Sequence, residues 1–262
     1  MHSLSHLHFC LKQYAVVVCC GICMFLNIFV LHAQEVLFAP ACTTGELVKH
    51  SFYSLCYDEY HEQALWVAYM LTAEMVKTKA CERSDNFRPD PLVSTGSAIP
   101  ADYKNSGYDR GHLCPAADMH FSCDAMSETF YMSNMSPQVP SFNRGIWSRL
   151  EEQVRRWAEM YDTVYVVTAG VLDNTCTGTI GQNVAVPGYF YKALLRKTSG
   201  EYTCIAFLLP NTGSKKSLTG FIVSMDNLEK VTGIDFFPAL PDSLEDIIEK
   251  QTNKSIWNLK QK

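Results

Sequence analysis

Basic charge is scarce in this chain of 262 residues: 22 Lys and Arg face 27 Asp and Glu, for a net charge of −5. That deficit argues against a protein that coats nucleic acid through bulk charge, because such binding rests on neutralising many phosphates at once. It leaves room for an enzyme, which needs a local cationic cleft and fast release more than global affinity. Charged residues of both signs make up only 19% of the chain and apolar residues 47%. This balance excludes disorder and allows one substantial core. Internal repeats, low-complexity tracts and Pro/Gly-rich linkers are missing, so one domain is expected rather than two. Beyond the first 33 residues, no segment is long and apolar enough to cross a bilayer.

The N-terminus reads as a targeting segment. Lys12 precedes an apolar run from Ala15 to Leu31, broken by Asn27, and His32-Ala33-Gln34 offers a small residue for cleavage. Residues 1–33 are expected to be a signal peptide cut after Ala33, or a membrane anchor through residues 15–31 if left uncut. Residues 34–262 are then a single domain, exported to a periplasm or secreted. Of the 11 cysteines, Cys10, Cys19, Cys20 and Cys23 fall in that segment. The remainder is odd in number, so at least one thiol stays outside any internal disulfide. Spacing does not fix the pairing; Cys42 with Cys56 and Cys176 with Cys204 are the trial pairs.

Residues 52–57 and 64–71 are rich in β-formers and flank a polar turn, which predicts a hairpin. Residues 81–107 are polar and punctuated by Pro, Ser, Asp and Gly, as in a long surface loop. Short strands are predicted at 108–113 and 129–134. Residues 143–161 read as a helix, because Ile146, Trp147, Leu150, Val154 and Trp157 recur at spacings of three and four, with Ser141 and Asn143 as N-cap candidates. Strands are expected at 164–168, 184–195 and 203–209, with Pro187 forcing a bulge or edge in the second. A helical tail at 224–249 is interrupted around 237–241. Strands on both sides of a helix, without regular βαβ alternation, point to α+β.

The chemistry concentrates in Tyr108-Asp109-Arg110-Gly111-His112 and in the stretch from Asn143 to Arg156. Hydrolysing a phosphodiester needs a base near neutrality, an oxygen ligand for a hard cation, and cations for the phosphorane. His112 suits the first role and Asn143 the second. On one helix, Asn143, Trp147, Glu151 and Arg155 are four apart and drift by about 40° per step. Glu151 could then meet a metal-bound water, Arg155 the phosphate, and Trp147 the flank. Gly111 would let substrate or a neighbouring strand approach the backbone closely. Each residue alone has a plainer role: Asn143 a helix cap, Glu151 and Arg155 an ion pair, Asp109 and Arg110 a local salt bridge.

Taken together, these motifs resemble the DNA/RNA non-specific endonuclease family, with its ββα-metal (His-Me finger) site. The matching residues are 108–112, Pro115-Ala116-Ala117-Asp118-Met119, Ser133-Asn134-Met135-Ser136-Pro137-Gln138, and Asn143-Arg144-Gly145-Ile146-Trp147 with Leu150-Glu151. The resemblance implies a central antiparallel sheet flanked by helices, and Mg²⁺-dependent cleavage of DNA and RNA, with Mn²⁺ as a substitute, leaving 5′-phosphate and 3′-hydroxyl ends. It makes His112 the general base, Asn143 the metal ligand and Glu151 the holder of a metal-bound water. Arg155 and Arg144 would bind substrate, and Arg110 would serve the site beside His112. Asn134 would organise the site from the finger's second strand. Arg83 is the candidate for the family's transition-state arginine, and Arg88 is its competitor. A homodimer is a further possibility.

Two other classes compete. His112, Cys114, His120 and Cys123 could form a small zinc-binding structural module, since two nitrogens and two sulfurs suffice for a tetrahedral ion. A catalytically inactive nucleic-acid-binding module is the other, and the intact set of His112, Asn143 and Glu151 argues against it.

Overall fold

The computed structural model describes residues 38–252 and 254–259; the targeting segment expected at 1–33 lies outside them. In chain order the strands are β1 (Glu46–Lys49), β2 (Tyr53–Asp58), β3 (Gln63–Thr72), β4 (Asp109–His112), β5 (Met135–Gln138), β6 (Thr163–Gly170), β7 (Thr179–Ile180), β8 (Val184–Ala185), β9 (Tyr189–Thr198), β10 (Glu201–Pro210) and β11 (Ile222–Val223). The helices are α1 (Ala73–Lys77), α2 (Cys123–Glu128), α3 (Ser148–Tyr161), α4 (Met225–Thr232) and α5 (Asp242–Ile248). Seven strands make one antiparallel sheet in the order β1-β2-β3-β6-β9-β10-β11. Consecutive strands pair as neighbours, as short connections favour, except at β6 with β9, where the small β7-β8 ribbon intervenes, and at the join of β3 to β6. The long excursion between those two central strands carries β4, β5, α2 and α3. The α+β expectation holds, and every candidate site residue lies in that insertion.

Side-chain alternation decides what the insertion packs against. Val67, Thr168, Lys192 and Phe207 stand in register across β3, β6, β9 and β10, so they share a face. The Trp157 ring of α3 lies 6.1 Å from Phe207, which identifies this face as the one the helix covers. The predicted apolar stripe is therefore the buried one: Ile146, Trp147, Leu150, Val154 and Trp157 are each no more than 1% exposed.

The helix that carries the stripe differs from the prediction. Phe142–Trp147 form a wide π turn, and Gly145 leaves helical backbone altogether (φ −114°, ψ −108°). The regular helix starts only at Ser148. Neither Ser141 nor Asn143 caps it; no side-chain cap bond forms at either start. The strand expected at 129–134 is also absent. Thr129 Oγ1 instead donates to Met126 O at 2.7 Å, prolonging the turn after α2, and Met132–Asn134 is a 3₁₀ turn. The finger's second strand starts one residue later, at Met135. The long strand expected at 184–195 splits into β8 and β9 around Pro187, which has no N–H for a ladder.

Cys42 and Cys56 form the expected disulfide. The second disulfide joins Cys81 to Cys123 and fastens the long loop to α2. The trial pair Cys176–Cys204 does not form: the Cys176 thiol donates to Val171 O and the Cys204 thiol to Ile248 O.

Gly111 serves a neighbouring strand rather than a substrate. A Cβ at this position would lie 2.2 Å from Cδ of buried Gln138 on β5. Gly111→Ala should therefore overpack the finger and cost about 1–3 kcal/mol, read from the midpoint of chemical denaturation. An unchanged midpoint would mean that Gln138 swings aside freely.

Candidate active site

β4 and β5 pair from Asp109 opposite Gln138 to His112 opposite Met135. Alternation puts Arg110 and His112 on one face of β4. The His112 ring packs between Phe130 and Phe87, with centroids 4.8 and 5.8 Å away in edge geometry. Its Nε2 is enclosed and has no hydrogen-bond partner. The same two aromatic rings also carry arginines: Arg110 lies 4.0 Å from the Phe87 centroid and Arg83 lies 4.8 Å from that of Phe130. Burial first, then Arg83 and Arg110, push the imidazole down to about 3. It is therefore neutral across the physiological range.

Of the two candidate arginines, Arg83 is the one whose charge bears on His112. Arg88 is spent on structure, donating to Ser127 O (2.9 Å) and Ser127 Oγ (3.1 Å) and stacking over Tyr131. Arg83 pairs with exposed Asp85 at 2.7 Å, and its charge acts on both His112 and Glu151. Asn134 is wholly buried and satisfied. Its Oδ1 accepts from Cys114 N at 2.8 Å, and its Nδ2 donates to Cys114 O and Thr129 O, both at 2.9 Å. From the end of the 3₁₀ turn it fixes the chain just after His112, a positioning role.

Asp109 is a residue whose part sequence reasoning missed. It does not bridge Arg110. Its carboxylate reaches across to the π turn, accepting from Asn143 Nδ2 (2.9 Å) and from Arg144 Nε (2.8 Å) and Nη2 (2.6 Å). Partial burial raises the Asp109 carboxyl, but the bonds from Arg144 and Asn143 outweigh this and hold it below the usual range. With the amide nitrogen held, the side chain of Asn143 presents its oxygen as the free donor.

Glu151 and Arg155 do not pair as neighbours on the helix. Arg155 Nη1 donates instead to Asp118 Oδ1 at 2.8 Å, and the Tyr69 hydroxyl donates to Asp118 Oδ2 at 2.9 Å. Arg155 is thus anchored to buried Asp118. Trp147 also departs from its expected place on the flank, lying fully buried against Phe142 and Phe190. The nearest missed residue is Lys192, 0% exposed, with Nζ 4.7 Å from the Trp147 ring and no hydrogen bond. Burial pulls its ammonium down, against the carboxylates of Glu151 and Asp118. In turn, burial lifts Glu151 to about 7, with Lys192 the strongest opposing charge. A lysine inside the apolar run of a central strand was the available signal, since buried lysines need an anionic partner.

The zinc quartet does not assemble. Cys123 is in the disulfide, and His120 Nδ1 bonds to Cys81 O at 2.9 Å. A cavity of about 1130 Å³ elsewhere is bordered by Glu59, Glu62, Asp102 and Asp173 and holds none of the candidate residues. Its acidic rim is unsuited to a phosphodiester.

Comparison with known proteins agrees with this geometry. The model of the DNA/RNA non-specific endonuclease family matches residues 35–243. The mitochondrial nuclease EXOG of Mus musculus is 37% identical over 215 residues, which is 76% of this chain and 58% of that protein. Mitochondrial endonuclease G of Homo sapiens is 36% identical over 208 residues, covering 74% and 70%. Nuclease C1 of Cunninghamella echinulata var. echinulata is 37% identical over 220 residues, covering 78% and 87%. This chain thus spans less than two thirds of mouse EXOG. The crystal structure of the EndoG/EndoGI complex contains a chain similar at TM-score 0.70 and 33% identity, covering 78% of this chain and 90% of that one. The mitochondrial names of EXOG, endonuclease G and Nuclease 1 of Schizosaccharomyces pombe overturn the expectation of export.

The depressed value of His112 makes a stability prediction. Its folded-state value lies below the 6.5 of a free imidazole, so the benefit of burying it neutral is full above pH 6.5 and is lost as pH falls toward 3. Relative to His112→Gln, the parent should lose about 2 kcal/mol between pH 6.5 and roughly 5, measured by denaturation at each pH. A constant difference would show that folding leaves the titration of His112 unshifted.

Proposed function

Because the chain belongs to the DNA/RNA non-specific endonuclease family, we propose that it is a metal-dependent endonuclease hydrolysing phosphodiester bonds of DNA and RNA, with His112 as its general base. The observation that carries this reading is a neutral histidine on the finger, flanked by Arg83 and Arg110. An acceptor already deprotonated at neutral pH, beside cations suited to a phosphorane, is what water attack on phosphate requires. One catalytic domain from residue 34 to 262 accommodates these parts, and the mitochondrial names of several relatives support a mitochondrial setting.

The donor chemistry of Asn143 fits a hard cation. Asp109 ties down its nitrogen, and a single neutral carbonyl oxygen suits Mg²⁺, which keeps most of its shell for water and phosphate; Mn²⁺ would substitute. Such an ion, when bound, supplies charge to the phosphorane and to the leaving oxygen. The chain's own groups supply the rest. His112 takes the proton of the attacking water. Glu151, as a carboxylate, orients water on the helix side, and Lys192 and Arg155 favour its charged form. Arg83 and Arg110 face the phosphate, and exposed Arg144 contacts the substrate strand further out.

His112→Ala should lower cleavage of supercoiled plasmid and of a structured RNA by roughly 10²–10⁴-fold while the protein stays folded. Asn143→Ala should weaken the response to added magnesium. Retained cleavage in His112→Ala would end the base assignment. No cleavage by the folded parent would favour a binding module instead. A second outcome concerns pH: the acid limb of activity should follow Glu151, at or below about 7, with activity present only above it. In Glu151→Gln the residual activity should lose that limb; a limb that persists would assign it elsewhere.

A further inference from the structure

Far along the chain from the finger, α4 and the end of α5 bring three carboxylates together. Asp226, Glu229 and Glu249 each place an oxygen within 4.8 Å of the others. Acidic groups on a surface tolerate such crowding because water screens them. Glu249 has no such screening: it is 7% exposed, and its Oε1 is enclosed without a hydrogen-bond partner. Glu245, one turn earlier, has its Oε1 in the same condition.

The backbone holds the cluster in place. The N–H groups of Met225 and Asp226 donate to Glu249 O (2.9 and 3.5 Å), and Phe236 N donates to Glu229 Oε1 at 3.0 Å. The charges that bear on Glu249 are those of Glu229, Glu245, Asp226 and Asp235, all acidic. The nearby Lys250 turns away to exposed Asp246. Among the described residues the strongest charges on this pocket are all acidic, a costly arrangement for orphaned oxygens unless a proton or a metal ion completes it.

We propose that Asp226, Glu229 and Glu249 bind a calcium ion that clamps α4 to the end of α5. The donors are all oxygens, which selects a hard cation, and three carboxylates at irregular spacing suit calcium better than the strict octahedron of magnesium. Zinc would ask for nitrogen or sulfur. The nearest thiol, Cys204, is pushed up to about 12 by burial and then Glu249, so it stays protonated and is a poor ligand. Burial, followed by the neighbouring carboxylates, also lifts Glu249 to about 8 and Glu245 to about 7, the behaviour of acids short of a countercharge.

The test uses the full chain carrying Asn143→Ala, so that calcium at the finger does not report, with calcium alone as the probe. Millimolar calcium should raise the melting temperature by about 5 °C, with one ion bound by titration calorimetry. Adding Glu229→Gln and Glu249→Gln should abolish that rise, and in chelator this variant should melt above its parent because repulsion is relieved. Asp226→Asn, at the half-buried edge of the cluster, should weaken calcium binding at least tenfold. No rise in the Asn143→Ala chain, or a rise that survives the glutamine pair, would overturn the site.

Discussion

The site hangs on a single carboxylate. Asp109 stands at the start of β4, three residues before His112, and grips Asn143 and Arg144 at the start of the helical segment. The short turn after β5, where Val139 O accepts from Phe142 N and Asn143 N at 2.9 Å, starts the placement of that segment, and side-chain bonds fix its orientation against β4. Arg–carboxylate contacts with two bonds are well suited to this, because they fix orientation as well as distance. The consequence is chemical as well as mechanical: tying the Asn143 nitrogen decides which atom the amide presents to a cation.

Burial then sets the charge states, and it works in opposite directions at the two central residues. It removes the proton from His112 and tends to return one to Glu151. The first leaves the ring neutral. The second would disarm a carboxylate, and the sheet supplies the remedy from β9: Lys192, buried and without a hydrogen bond, is the largest opposing charge. Arg155 adds to this while anchored by Asp118. An ammonium in such a place is costly, and its cost falls if Glu151 ionises. The two groups therefore bias each other's charge state, and a chain acidic overall keeps cations gathered around His112 and Glu151.

Much of this was legible in the sequence because it depended on local pattern. The hairpin of β2 and β3, strand β4, the apolar stripe from Ile146 to Trp157 and the disulfide of Cys42 with Cys56 all appear where expected. What failed were features set by tertiary contacts. Arg155 and Glu151, four apart on a helix, looked like partners, but buried Asp118 offers Arg155 a drier and stronger bond. Cys123 looked like a zinc ligand until the fold brought Cys81 beside it. Residues 129–134 have strand-forming side chains, yet the hydroxyl of Thr129 and the end of α2 hold them in turns. Lys192 was written in plain view within an apolar strand, and only the register with Thr168 and Phe207 shows which face it serves.

The kink at Gly145 shows why periodicity could find the helix and still misplace its chemistry. The apolar positions on both sides of the kink remain buried, so the hydrophobic pattern carries no trace of the break. An unbroken helix would fix the direction of Asn143 relative to Glu151 by rotation alone, at about 100° per residue. The π turn and the non-helical Gly145 free Asn143 from that constraint, and Asp109 takes over its placement. Asn143 and Glu151 are thus positioned by separate elements, the first by the finger and the second by the sheet-packed helix. A change that shifts the finger should then disturb Asn143 and His112 together and leave Glu151 with Lys192, a coupling that no single-helix reading of the sequence contains.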